Sequence, residues 1–121
     1  MAISEGESVV MDVLWKSHPA TAEEVVAALE GRADWQDATI RTMLNRLLKK
    51  RAIAAERDGR RYLYRPLLKR ADYMHAQSKS LLDRLFDGRL APMVAHFSTH
   101  QKLSKKEIAE LKRLIEKLDH E

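Results

Sequence analysis

The sequence contains no cysteine, which excludes a disulfide framework, a thiolate metal site and a thiol nucleophile. Its four glycines are scattered, so there is no glycine-rich loop to cradle a phosphate. No apolar run approaches the roughly 20 residues needed to cross a bilayer. The opening Met1-Ala2-Ile3-Ser4-Glu5-Gly6-Glu7 is acidic and does not read as a secretory signal. The expectation is a soluble, cytoplasmic chain with no membrane insertion. Serines and histidines occur, but no nucleophile, base and orienting group fall at a suggestive spacing. His96 and His100 stand four apart without a further pair of ligands, so neither a metal nor another cofactor is expected, and the chain does not read as an enzyme.

What is present is charge, unevenly spread. Of the 121 residues, 45% are hydrophobic and 33% charged, with a net charge of +4. Residues 1–35 sum to −5, residues 36–70 to +8 and residues 71–121 to +1. A segment of this length with one dominant sign creates a field that attracts polyanions, nucleic acid first among them.

The apolar residues recur at helical spacing. Ser4 and Glu7 form a capping box ahead of Val9, Val10, Val13 and Leu14, and His18-Pro19 stops that helix near Ser17. A second box, Thr21 to Glu24, opens a short helix carrying Val25, Val26 and Leu29, which Gly31 ends. A polar loop with Trp35 follows, and Asp37 is expected to cap a third helix running to about Arg51. There Ile40, Met43, Leu44, Leu47 and Leu48 share one face, while Thr39, Arg41, Thr42, Asn45, Arg46 and Lys49 share the other, which is free of acid. Ile53–Arg57 and Arg61–Arg65 flank Asp58-Gly59-Arg60, an Asp-Gly hairpin signal, and Pro66 closes the second strand. Three short helices and a basic hairpin spell a winged helix-turn-helix.

An α-helix fits the major groove of B-DNA if its exposed face donates hydrogen bonds and adds no negative charge. Arg41 and Arg46 suit guanine or phosphate, and the Thr39 and Thr42 methyls suit thymine. Asn45 suits adenine, or equally a structural bond to its neighbours. Lys49 extends the basic face. Arg57, Arg60 and Arg61 surround the hairpin turn, where contact with the sugar-phosphate backbone is expected. For Tyr62 and Tyr64, which alternate with Leu63, cross-strand packing is the favoured role. At Thr21 and Ala22 the start of the second helix offers backbone N–H groups to a phosphate.

Beyond Pro66 the chain turns more aliphatic. Tyr73 to Phe86 reads as a helix interrupted by Asp87-Gly88, a shorter helix starts at about Ala91, and Ser98–Lys102 reads as a polar connector. Ser104 and Glu107 form a capping box for a last helix, with Leu103 stapled onto Ile108. Leu81, Leu82, Leu85, Phe86, Met93, Phe97, Ile108, Leu111 and Ile115 exceed what helices this short bury alone, which suggests dimerisation. The expected fold is mainly α with a small β-hairpin: a winged helix-turn-helix DNA-binding domain over residues 1–70, then a helical dimerisation domain over 71–121. A sequence-specific regulator binding double-stranded DNA as a homodimer is the leading reading. The alternative is an interaction adaptor using the winged helix to dock a protein.

Several runs together resemble the penicillinase-repressor family, the group of beta-lactamase and methicillin-resistance repressors with a copper-responsive branch. They are Ser4–Glu7 with Val13-Leu14-Trp15, Thr21–Val25, Asp34-Trp35, Thr39–Leu47, Gly59–Pro66, Ser78–Gly88 and Leu103–Ile108. The resemblance covers nearly the whole chain. It implies a homodimeric winged-helix repressor on palindromic promoter operators, with Thr39, Arg41, Thr42 and Arg46 on the recognition helix and dimerisation after Pro66. It also implies derepression by proteolysis at an Asn-Phe bond, signalled by a membrane metalloprotease sensor. The matching pair here is His96-Phe97, a departure that weakens the expectation of cleavage at this bond. The copper branch carries a cysteine-rich motif that this chain lacks, which disfavours copper sensing.

Overall fold

The computed structural model describes residues 2–32 and 35–120; Asp34, part of the family resemblance, lies outside them. The elements are α1 (Glu5–Lys16), α2 (Ala22–Ala28), α3 (Asp37–Lys49), β1 (Ile53–Asp58), β2 (Arg61–Pro66), α4 (Arg70–Leu85), α5 (Leu90–His100) and α6 (Lys105–Asp119). The chain divides into two compact units, one through Met74 and one from His75. The boundary expected at residue 70 falls at the first residue of α4, and the opening of that helix belongs to the first unit.

In the first unit, α1 buries Val10, Met11 and Leu14 at helical spacing, against Val25 and Leu29 of the α2 segment, Ile40, Leu44 and Leu47 of α3, and Ile53. Both expected capping boxes form: Ser4 Oγ accepts from Glu7 N–H, Thr21 Oγ1 accepts from Glu24 N–H, and each glutamate returns a bond to the cap residue's N–H. Asp37 is not the cap of α3. Gln36 holds that position without a side-chain bond, and Asp37, the first helical residue, turns its carboxylate to Arg41. The helix also closes earlier than expected. Arg51 takes a left-handed conformation (φ 61°), Arg51 N–H bonds Leu48 C=O, and Ala52 N–H bonds Leu47 C=O, both at 3.0 Å. That double closure satisfies carbonyls which would otherwise be orphaned.

The hairpin pairs Asp58 with Arg61, so its two-residue turn is Gly59-Arg60 rather than Asp58-Gly59. Only Gly59 has positive φ (67°), the pattern of a II′ turn whose twist suits the two strands. Two non-local ties hold the hairpin to the helices. Ala20 and Tyr64 exchange backbone bonds of 3.0 and 2.7 Å, adding a one-residue third strand. Leu67 and Leu68 both donate to Ala52 C=O. Trp15 Nε1 then donates to Leu68 C=O at 2.8 Å, and its ring meets Tyr73 at 5.6 Å, which fixes the opening of α4.

In the second unit none of α4, α5 and α6 contains a buried residue. The expected start at Tyr73 is three residues late for α4. Likewise α5 runs through His100, so the connector expected over Ser98–Lys102 is shorter; Ser98 and Thr99 bond their hydroxyls to Ala95 C=O and remain helical. At α6 only half of the expected box is found: Ser104 Oγ accepts from Glu107 N–H. Among the described residues no helix is long and apolar enough to cross a membrane.

Candidate nucleic-acid interface

Burial of Ile40, Leu44 and Leu47 turns the opposite face of α3 outward. Thr39, Arg41, Thr42, Asn45, Arg46 and Lys49 are all exposed on it. Thr42 Oγ1 donates to Ala38 C=O at 2.9 Å, so its hydroxyl is already paired. Arg41 is engaged as well. Its Nε donates to Asp37 Oδ1, one turn earlier, and its Nη2 donates to Glu23 Oε1 on α2 at 3.2 Å. The face read as free of acid therefore carries two carboxylates on one of its arginines. Their hydrogen bonds, Asp37 first and then Glu23, raise the Arg41 pKa further above its already high value. In turn a backbone bond within Glu23 and the Arg41 bond lower the Glu23 carboxyl.

The hairpin brings further arginines to this face. Ala22, Glu23, Arg41, Arg60, Arg61, Tyr62 and Tyr64 enclose a notch of about 140 Å³ between α2, α3 and β2. Arg61 is paired with Asp58 at 3.1 Å, while Arg57 donates to Gly59 C=O and lies 6.0 Å from the Tyr62 ring centroid. Arg60 has no ion pair among the described residues. Tyr64 packs on the core and Tyr62 is exposed, so the two tyrosines do not share one role.

Thr21 does not join the group as expected. It is 3% exposed, its hydroxyl accepts from Glu24 N–H and its own N–H donates to Glu24 Oε1, so that N–H is not free for a phosphate. Sequence reasoning missed Asp37 and Glu23 as partners of Arg41. The Asp37–Arg41 spacing of four is a legible signal on a helix; the reach of Glu23 from another helix is not.

In the second unit the residues expected to dimerise lie open. Leu85 and Ile115 are 64% and 63% exposed, Leu81, Phe97 and Ile108 are exposed, and Leu82, Phe86, Met93 and Leu111 are half-buried. Leu90, Leu114 and Leu118 are equally bare and belong with them. Met93, Val94, Phe97, Leu103 and Leu111 line an apolar cleft of about 360 Å³. The His96-Phe97 bond lies inside α5, and the His96 ring stacks on His100 at 4.4 Å and meets Phe86 at 5.9 Å. No group of three carboxylates or histidines suited to a metal is found among the described residues.

Comparison with known proteins gives this geometry a context. The chain is 39% identical over 114 residues to the penicillinase repressor of Bacillus licheniformis, covering 94% of this chain and 89% of that one. Among solved structures it is similar to the DNA-binding domain of the repressor BlaI, with TM-score 0.54, 39% identity, and coverage of 59% of this chain and 87% of the other. It is also similar to the monomeric form of Bacillus licheniformis BlaI in complex with the blaP half-operator, with TM-score 0.53, 38% identity, and coverage of 60% and 89%. Both likenesses span little more than half of this chain. The penicillinase repressor family itself matches residues 3–117, from the first core residue into the last turn of α6, and the chain belongs to that family.

Proposed function

We propose that this protein is a DNA-binding repressor of transcription, not an enzyme, that acts as a homodimer on an inverted-repeat operator. The observation that carries the reading is the exposed face of α3 beside an arginine-bearing turn. On that surface groups suited to reading bases and groups suited to binding phosphate stand together. In this reading α3 lies in the major groove. Arg41, Arg46 and Asn45 address base edges, Thr39 and Thr42 address thymine methyls, and Lys49 addresses phosphate. Arg57, Arg60 and Arg61 of the hairpin follow the backbone. That a relative binds a half-operator in monomeric form supports a full operator covered by two copies.

The second copy is held through the tails. Helices with no buried residue of their own, bearing Leu81, Leu82, Leu85, Phe86, Met93, Phe97, Ile108, Leu111 and Ile115, complete a core only across a twofold axis. Two recognition helices then meet the duplex one turn apart, about 34–36 Å, or at a multiple of that spacing. Derepression by a membrane metalloprotease sensor requires α5 to unwind locally, because His96-Phe97 lies within that helix.

Selection from a randomised duplex pool, followed by titration at increasing salt, tests the reading. A palindromic consensus should emerge, bound by two chains per duplex. Its affinity should fall with salt at a slope of about −0.9 per phosphate contacted. Equal affinity for the selected and the random duplex would overturn it.

A further inference from the structure

We infer that Asp37 and Glu23 are positioning residues for base reading by Arg41, holding its guanidinium with one donor edge free to face a guanine. The inference rests on the DNA-binding reading of α3 and extends it to two residues that phosphates repel. A carboxylate near a phosphate backbone is repelled, so two of them at the front of a DNA-binding surface need another reason to be there.

The geometry supplies one. A guanidinium has five N–H donors in a rigid plane. Asp37 takes the Nε donor and Glu23 takes one Nη2 donor, leaving both donors of Nη1 and one of Nη2. Adjacent donors on Nη1 and Nη2 match the O6 and N7 acceptors of guanine, the commonest specific arginine contact in the major groove. Bonds to Asp37 from its own helix and to Glu23 from α2 fix both the direction of the arginine stem and the plane of its head. An unheld arginine would have to give up that freedom on binding. The carboxylates are exposed, at 59% and 71% for their side chains, so each bond is weak alone. Two acting on one head are enough to favour a single orientation by about three- to tenfold. They also disfavour Arg41 at a phosphate, where a diffuse contact would suit any sequence. Specificity thus gains at the expense of non-specific affinity.

The test compares the intact protein with Asp37→Asn, Glu23→Gln, the double variant and Arg41→Ala. Each is titrated against the duplex selected by the unaltered protein, against copies in which each G·C pair is replaced in turn, and against random duplex. For the unaltered protein, replacing one G·C pair should weaken binding at least tenfold. Arg41→Ala should abolish the penalty at that pair alone. In the double carboxylate variant the penalty should shrink by about three- to tenfold while affinity for random duplex holds or rises. In the Arg41→Ala background, removing the carboxylates should change no penalty. Urea midpoints recorded alongside exclude unfolding as the cause.

Three outcomes overturn the inference: penalties unchanged in the carboxylate variants, affinity raised equally for all duplexes, or an Arg41→Ala variant that loses discrimination at no G·C pair. The DNA-binding reading fails separately, and visibly, if the unaltered protein selects no consensus at all.

Discussion

Glu7 shows what one buried carboxylate does here. It lies on the apolar face of α1 at 1% exposure, bonds the Ser4 N–H through Oε1 and accepts from Lys50 Nζ on the same oxygen. Burial pushes its pKa up, but the Lys50 bond and the two Ser4 bonds outweigh burial, and the carboxyl sits below its ordinary value. A carboxylate whose folded pKa is depressed adds stability at neutral pH. That contribution is full above the unfolded value of about 4.3 and is lost as pH falls through the folded value. Glu7→Gln should therefore lower the urea unfolding free energy at pH 7 by about 1–3 kcal/mol, toward the small end because Lys50 remains partly solvated. It should also flatten the acid limb of the stability profile below about pH 4.3. Unchanged urea midpoints at pH 7 and pH 4 would show that the charge of Glu7 adds nothing to stability. The capping half of this arrangement is legible in the sequence, since Ser4 and Glu7 are three apart. The ion pair is not, because Lys50 lies 43 residues away.

At the scale of elements, whatever depends on near neighbours reads well. The two capping boxes, the buried stripe of α3 and the strand pair all follow from spacing. The errors fall at element ends, where two local roles compete for one residue, and where a distant group intervenes. Asp37 is a standard cap residue, yet Arg41 and its place in the first turn make it an ion-pair partner. Trp35, read as part of a polar loop, packs against the core and comes close to Gly6, where an added Cβ would lie 2.8 Å from the Met43 methyl. The hairpin reads correctly as a hairpin, but its anchor through Ala20 joins residues 44 apart and carries no local signal. In the proposed function that anchor leaves the turn itself free to act on DNA. Arg60, at the turn, has neither an ion pair nor a side-chain hydrogen bond among the described residues, whereas Arg57 bonds Gly59 C=O and Arg61 pairs with Asp58, so Arg60→Ala should weaken binding to every duplex by a similar factor. The salt slope should fall by about 0.9–1 unit, as expected for one lost phosphate contact. Loss confined to the selected sequence would instead make Arg60 a reader of bases.

At the scale of the whole molecule, the contrast between the units supports the proposed role of the tail. The first unit closes its own core, with Met11, Leu14, Ile40 and Leu47 among the side chains under 2% exposed, whereas α4, α5 and α6 contain no buried residue. The helical pattern of the tail is plain in the sequence, but in the proposed dimer the surface that covers it is a property of two chains and cannot be read from one. Fully covering one leucine or isoleucine contributes about 1.5–3 kcal/mol, so a handful of them across a twofold axis is enough for a stable dimer. Cutting the chain after Met74 keeps Tyr73 on Trp15 and the Leu68 bond, which a cut after Arg70 would lose in part. The shortened chain should unfold cooperatively, sediment as a monomer, and bind the selected palindrome at least tenfold more weakly than the intact protein, because the second half-site is no longer tethered to the first. A second variant, Leu85→Lys with Ile115→Lys, places charge on the bare faces without removing any residue and should give the same monomer with the first unit intact. If either the cut chain or the double variant still sediments as a dimer, the pairing surface lies in the first unit, and the exposed tail has some other partner.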